Sequence, residues 1–444
     1  MNGADGSPGG TRGGGPDHPV VADAASSAFL DLPRGVTVVE PGGKSPGITH
    51  PAGFLAAGVA AGIKQSGRPD VGVLVVAPEY RHDVVSAAVF TRNAFAAAPV
   101  VVSQRETSLA KLAAVVMNSG NANACTGVAG LATARAMQTA CGEPLGIPAA
   151  RVGVASTGVI GVPLNTNRVV RGIREAVACL SPDGGPDFAQ CILTTDRFPK
   201  TVAMDVETRD GLVHLAASAK GAGMIAPGMA TMLCLVTTDA GLSTGVVRSL
   251  LVREVGRTLN RISVDGQMST NDCVFFLASG ASRVYLSADG AAQLGAALRA
   301  LLLRISLMMV ADGEGATKVI RLRVRGAAGD EEARTVARAV ADSSLVKTAM
   351  YGQDPNWGRI LSSAGAVLPG RALPNAMLIL GGVQLVEEAT AVELTGEDRA
   401  RLRAVMASPE VDIMLDLGLG AGEDEVYFSD MGHEYVTINA DYHT

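Results

Sequence analysis

Thr231 stands at the end of a glycine- and proline-rich loop, Lys220-Gly-Ala-Gly-Met-Ile-Ala-Pro-Gly-Met-Ala230, and directly before an apolar run, Met232 to Val236. A threonine hydroxyl in this setting can attack the carbonyl of the residue before it. The Ala230–Thr231 peptide would then pass through an ester and hydrolyse, leaving Thr231 with a free α-amino group beside its own hydroxyl. Such an amine titrates near about 7.7–8.0 and is substantially neutral at working pH, so it can serve as a built-in base. One residue would supply both nucleophile and base. The other reading is a plain strand connection whose threonine does nothing chemical, and the loop alone does not decide between them.

Five further segments hold more Gly, Asn, Asp and Thr than strand connections require. Asn118-Ser-Gly-Asn-Ala-Asn-Ala-Cys-Thr-Gly127 is a donor-rich turn or a helix cap. Ser156-Thr157-Gly158 pairs a hydroxyl with a glycine N–H, a two-donor arrangement suited to an oxyanion, or a simple turn. Leu193-Thr194-Thr195-Asp196-Arg-Phe-Pro-Lys200 offers hydroxyls, an acid and a base, or a solvated loop. Arg261 to Asp272 either orders polar groups around a site or forms a tight hydrogen-bonded loop. Asp312-Gly-Glu314-Gly-Ala-Thr-Lys318 lacks the GxxxxGK[ST] spacing of a phosphate loop, and an acid in a glycine loop suits an ammonium ligand better. Apart from these five, a nearby run, Gln353-Asp-Pro-Asn-Trp-Gly-Arg359, carries the single tryptophan and reads as a packed, polar-rimmed loop.

The elements that must position these groups are legible in outline. The chain has 444 residues, enough for two or three domains or layers, and 48% of them are hydrophobic with only 4% aromatic. Short Val-rich runs alternate with Ala-rich stretches. The pattern predicts strands over 71–76, 100–103, 113–117, 152–155, 201–206, 232–236, 273–278, 319–324 and 377–380. It predicts helices over 128–141, 246–259, 291–309, 331–342 and 397–406. Such a mixture is α+β, with sheets covered by helices. Residues 1–32, rich in Gly and Pro toward the start, are expected to be a disordered extension.

Charge and composition narrow the function. A net charge of −6 offers no basic face for nucleic acid. The six cysteines show no CxxC pairing and read as reduced thiols of a cytoplasmic protein; Cys125 and Cys234 stand near the chemical segments and read as structural. The six histidines show no HExxH spacing, so neither metal nor other cofactor is expected. No signal-peptide pattern opens the chain, and the greasy stretch near 301–310 is interrupted by Arg304 and too short to span a bilayer.

In sequence order, Asn118–Gly127, Ser156–Gly161, Thr194–Lys200, Lys220–Leu233, Asn260–Asp272, Asp312–Lys318, Val346–Ile360 and Tyr435–Thr444 together resemble the ornithine acetyltransferase (glutamate N-acetyltransferase) family of arginine biosynthesis. The resemblance runs from about residue 34 to the last. It implies a DmpA/ArgJ-like α/β/β/α sandwich and a precursor that cuts itself at Ala230–Thr231 into an α chain (33–230) and a β chain (231–444), assembled as two α and two β. It further implies Thr231 as nucleophile, taking acetyl from N-acetylornithine and passing it to glutamate, with acetyl-CoA a further acetyl donor for some members. Thr157 and Gly158 would form the oxyanion hole, and Thr195, Lys220, Thr231, Glu314, Asn439 and Thr444 would bind substrate. The chain departs from the family pattern at Gly228, where a polar residue is usual, and at Val162, Asn165 and Gln267-Met268. A relative acting on another acyl-amino acid in secondary metabolism, and an N-terminal-nucleophile amidohydrolase, are the alternatives; an uncleaved binding or scaffold protein of the same fold is a third.

Overall fold

The computed structural model describes residues 27–39, 47–226 and 232–441. Three sheets carry the fold. A six-stranded central sheet runs in the order 36–38, 200–208, 211–220, 233–238, 273–278, 85–90. A four-stranded sheet, 54–59, 71–76, 114–118, 152–156, lies against it. Strand Val71–Val76 shows why the two stack: all its residues are buried, with Val71, Val73 and Val75 in one apolar cluster and Leu74 and Val76 in another. Side chains alternate across a strand, so a run of unbroken Val and Leu must be covered on both faces.

The clusters give the layer order. On the outer face of the four-stranded sheet, Val71, Val73 and Val75 meet Met137 of helix Gly127–Leu145 and Ile173 of helix Thr166–Ala178. Between the sheets, Leu74, Val76 and Met117 meet Leu233, Leu235, Phe275 and Leu277. On the far face of the central sheet, Cys234, Val236 and Phe276 meet helices Thr244–Arg257 and Ala288–Ala311. The layers are therefore helices, sheet, sheet, helices. The helix Ala288–Ala311 is long and apolar enough to cross a bilayer by length and composition, and its Leu294, Leu298, Leu301 and Ile305 are spent on this core.

A third unit was not foreseen as separate. The seven-stranded sheet, in the order 262–263, 422–429, 319–327, 410–416, 377–380, 383–387, 390–391, packs with helices Asp330–Ala341, Ser344–Tyr351, Trp357–Ala366 and Gly396–Ala407 around its own core. Residues before and after position 230 interleave in one sheet: strands 211–220 and 233–238 are antiparallel neighbours with Lys220 opposite Leu233.

Two expectations are corrected. Val100–Ser103 lies in a helix, Ala98–Glu106, rather than a strand. Pro99 opens that helix, where its missing N–H costs nothing. Ser103 then takes the free edge of strand 152–156: its hydroxyl donates to the Val154 carbonyl at 2.9 Å and accepts from the Val154 N–H at 3.1 Å. Tertiary demand for an edge cover outweighs the β propensity of three valines. Residues 27–32, placed in the extension, are packed: Phe29 is buried, stands 6.0 Å from the Tyr427 ring and lies beneath the Arg321 guanidinium at 4.6 Å. The remainder of the expected extension, 1–26, lies outside the described residues.

Candidate functional site

The site grows from the ends of the two antiparallel strands that flank position 231. Ala230, Thr231, Thr444 and Gly228 lie outside the described residues, but the chain on both sides of 227–231 is held by a single segment. On the near side, the Asp265 carboxylate accepts the Met224 N–H at 2.5 Å and the Ile225 N–H at 2.9 Å, and Val264 N–H donates to the Ile225 carbonyl at 2.9 Å. On the far side, Asp272 accepts the Met232 N–H at 2.9 Å, and Cys273 N–H donates to the Met232 carbonyl at 3.1 Å. Segment 264–273 is thus a clamp for the loop, and of the two readings of Arg261 to Asp272 it satisfies both.

The clamp also reaches the Ser156-Thr157-Gly158 turn. Asn271 Nδ2 donates to the Ser156 carbonyl at 2.9 Å and to the Ala122 carbonyl at 2.6 Å. Thr157 N–H donates to the Asn118 carbonyl at 2.9 Å, and Ser156 Oγ donates to Asn118 Oδ1 at 2.6 Å. The Asn-rich turn is therefore a scaffold for residues 156–159. Gly158 sits at φ +128, and a Cβ there would lie 2.4 Å from the Gly120 carbonyl carbon and 2.5 Å from the Asn121 nitrogen. Only glycine lets these two backbones approach so closely.

Lys220 ends its strand pointing into this turn. Its ammonium is 3.5 Å from Thr157 Oγ1 and 4.0 Å from Asp196 Oδ2, and the residue is 3% exposed. Burial lowers its pKa from the usual lysine value, with Asp196 opposing the shift and Lys200 adding to it. Asp196 is wholly enclosed. It accepts the Lys200 ammonium at 2.5 Å, the Gly221 N–H at 2.7 Å and the Thr194 N–H at 2.9 Å. Burial resists its ionisation, but Lys200 and Lys220 outweigh it and hold the carboxyl well below the usual range. Lys200 is shared with buried Asp312, which also takes Arg197 Nε at 2.8 Å. Thr195, expected to bind substrate, lies in this loop beside Asp196, whose carboxylate sets the loop and the charge beside Lys220.

Glu314 approaches from the other side. Its N–H donates to the Ala222 carbonyl at 2.9 Å, and a Cβ on Gly223 would strike its carboxylate at 2.4 Å, so Gly223 leaves room for that acid over the loop. Asn439, on the terminal helix His433–Asp441, donates its amide to Glu314 Oε2 at 2.8 Å. Tyr435 on the same helix is pushed up to about 12 by burial and by Asp265 and Glu314. Thr157, Gly158, Lys220, Glu314 and Asn439 therefore gather around the loop, with Glu314 and Asp272 both contributing to the field at Lys220.

Sequence reasoning missed Asp272 as an individual. It is fully buried, its Oδ2 has no hydrogen-bond partner among the described residues, and burial pushes its carboxyl well above the usual value. The available signal was an acid closing a polar run, Ser269-Thr-Asn-Asp272, at the mouth of an apolar strand. Cys234 is no rival nucleophile, since burial pushes its thiol up to about 12. Behind the Gly158 turn opens a cavity of about 520 Å³. Gly120, Asn121 and Val159 line it together with Lys64, Arg68 and Arg168, and so do Val162 and Asn165, two of the departing positions.

The model of the ArgJ family matches residues 55–444. The chain is 44% identical over 393 residues to the arginine biosynthesis bifunctional protein ArgJ of Nitratidesulfovibrio vulgaris, covering 88% of this chain and 98% of that protein. It is 45% identical over 405 residues to the protein of the same name from Symbiobacterium thermophilum, covering 90% and 98%. A solved structure of ornithine acetyltransferase with ornithine, from Mycobacterium tuberculosis, is 38% identical and covers 45% of this chain and 100% of its own, with a TM-score of 0.39.

Proposed function

The chain belongs to the ArgJ family, and we propose from that premise that it works by cutting itself before Thr231 and using the exposed threonine as an acetyl carrier. It is a bifunctional acyltransferase of arginine biosynthesis, with ornithine acetyltransferase and glutamate-acetylating activity. The observation that carries the proposed mechanism is the buried Lys220 ammonium, 3.5 Å from Thr157 Oγ1, at the loop whose two sides are clamped by 264–273.

In the processing step the Thr231 hydroxyl attacks the Ala230 carbonyl, the peptide nitrogen leaves as the Thr231 amine, and water hydrolyses the resulting ester. Asp272, holding the Met232 N–H, orients the amide on the far side of Thr231. In the transfer step the free amine takes the Thr231 hydroxyl proton as the oxygen adds to the acetyl carbonyl of N-acetylornithine. The tetrahedral oxyanion is held by the Thr157 hydroxyl and the Gly158 N–H. Its collapse expels ornithine, whose nitrogen recovers the proton, and leaves acetyl-Thr231. Glutamate then attacks the ester through its α-amine and departs as N-acetylglutamate.

Both substrates bear an α-carboxylate, which the Lys220 ammonium pairs as a point charge. Glu314, with Asn439, receives the ornithine side-chain ammonium in a charge-assisted hydrogen bond, and Thr195 and Thr444 complete the binding set. We further propose that cut α and β parts stay associated, as two of each. Strands 233–238 and 273–278 of the second part already lie between strands 211–220 and 85–90 of the first in one sheet, so cutting the loop breaks no ladder.

Intact mass spectrometry with and without N-acetylornithine tests the reading. The expected result is two fragments separated at Ala230–Thr231 and an acetyl adduct on the C-terminal one. Thr231→Ala should remain one full-length chain and transfer no acetyl group. Acetyl transfer by that variant would sink the assignment.

A further inference from the structure

A second cluster of chemistry-bearing side chains lies on the same central sheet, away from the Thr231 loop. Asp205 and His214 stand directly opposite each other on adjacent antiparallel strands. His50 reaches them from the turn after the short helix Gly47–Thr49, which is fastened to the sheet by Thr237 Oγ1 donating to the Ile48 carbonyl at 2.7 Å. His50 Nε2 is 2.8 Å and His214 Nε2 is 3.8 Å from the same oxygen, Asp205 Oδ1, and one ligand atom from each of the three lies within 4.8 Å of the others. These separations bracket the roughly 3.3–3.4 Å edge of a tetrahedron with metal–ligand bonds of about 2.0–2.1 Å.

What lifts the cluster above a hydrogen-bonded surface group is its support. Asp239 is 1% exposed and accepts His214 Nδ1 at 2.6 Å, the His214 N–H at 2.8 Å and the Ala52 N–H at 3.4 Å. A carboxylate fixed by two backbone donors keeps the His214 proton on Nδ1 and turns the Nε2 lone pair toward Asp205. This is the outer-shell partner that metal-binding histidines usually have. Among the described residues, neither Asp205 nor Asp239 has a Lys or Arg within ion-pair distance; the basic side chains that reach them are the two imidazoles. The three side chains are half-buried, which leaves an open side for a fourth ligand from water.

We propose that His50, Asp205 and His214 form a binding site for a divalent transition-metal ion of the zinc type, with Asp239 as its positioning residue. Two imidazole nitrogens and one carboxylate select such an ion over Mg2+, which demands oxygen ligands. The site would tie the His50 turn to two strands of the central sheet. It lies six residues from Lys220 on the same strand, about 20 Å at the usual rise, so it would stabilise the sheet rather than join the acetyl transfer.

The test is isothermal titration of ZnCl2 into chelator-treated full-length protein, with MgCl2 as the control and thermal melting in parallel. One equivalent of Zn2+ should bind and raise the melting temperature, while Mg2+ should give no heat. His214→Ala and His50→Ala should each lose at least tenfold in affinity. Asp239→Asn should weaken binding about 10–100-fold although it removes no ligand. His50 sits on a turn, so its variant keeps the test valid if changes within the sheet fail to fold. No Zn2+ equivalent, or unchanged affinity in His50→Ala, would show a hydrogen-bonded cluster only and overturn the proposal.

Discussion

Gly158→Ala separates the oxyanion reading from a merely structural turn. The added Cβ would meet the Gly120 carbonyl carbon at 2.4 Å, the Asn121 nitrogen at 2.5 Å and the Gly120 Cα at 2.9 Å. All three are backbone atoms, so no side-chain rotation relieves the contact. Ordinary contact begins near 3.4 Å, which requires the 157–159 and 120–121 segments to part by about 1 Å. The backbone bridges that join Asn121 to Thr157 and Val159 resist that motion, and φ +128 adds strain of about 1–3 kcal/mol for a residue with a side chain. A misplacement of about 1 Å costs roughly 10²-fold in rate, and loss of one oxyanion donor costs about 2.7–4 kcal/mol, or 10²–10³-fold. The variant should therefore lose about 10²–10³-fold in kcat for acetyl transfer from N-acetylornithine to glutamate, with KM changed by less than about threefold. Gly161→Ala is the control: its φ is also positive, +86, but among the described residues nothing lies within 4 Å of the Cβ it would gain. That change should cost about 1 kcal/mol of stability and leave the rate within a few-fold. Gly158→Ala acting within threefold of the parent, with a normal melting temperature, would refute the reasoning.

Two further outcomes follow from the charges. Burial lowers the Lys220 pKa, so its charged form fades at a lower pH than that of an exposed lysine; kcat/KM should fall on the alkaline side before the ordinary lysine range. Lys220→Met should lose about 1.5–3 kcal/mol of substrate binding, read as a raised KM, and abolish that alkaline limb; survival of the limb would reassign it. Asp196 has a folded pKa below its unfolded one, so its stabilisation is complete above the unfolded value of about 3.9 and is lost as pH falls through the acid range. Asp196→Asn, which strips a carboxylate from between two buried lysines, should destabilise by about 3–5 kcal/mol at pH 7. In urea unfolding the gap between variant and parent should narrow below pH 4, and a pH-independent gap would count against the assignment.

Strands were legible where burial on both faces forced an unbroken apolar run, as at Val71–Val76 and Cys273–Ala278, both found with the expected bounds. The long helices 127–145 and 288–311 were legible from their Ala- and Leu-rich period. The run Val100–Ser103 misled because its residues look the same in a strand and in a buried helix turn; Pro99 and the edge at Val154 decided it. The separate seven-stranded unit was hidden because pairing order is a matter of contacts far apart in the chain.

The sequence by itself determined the chemistry on offer: a threonine behind a Gly/Pro loop, a Thr-Gly turn, and polar segments in an order that resembles one family. These are local properties of residue type and spacing. Only the tertiary structure decided which of them meet. It set Lys220 beside Thr157 and Asp196, and brought out Asp272 as the anchor of Met232. It also assembled His50, Asp205 and His214, which no spacing rule connects. The physical reason is the same in each case. A buried polar or charged group must find its partner in three dimensions, and the partner comes from another segment of the chain: 40 residues away for Asp272 and Met232, 63 for Lys220 and Thr157, 155 for His50 and Asp205.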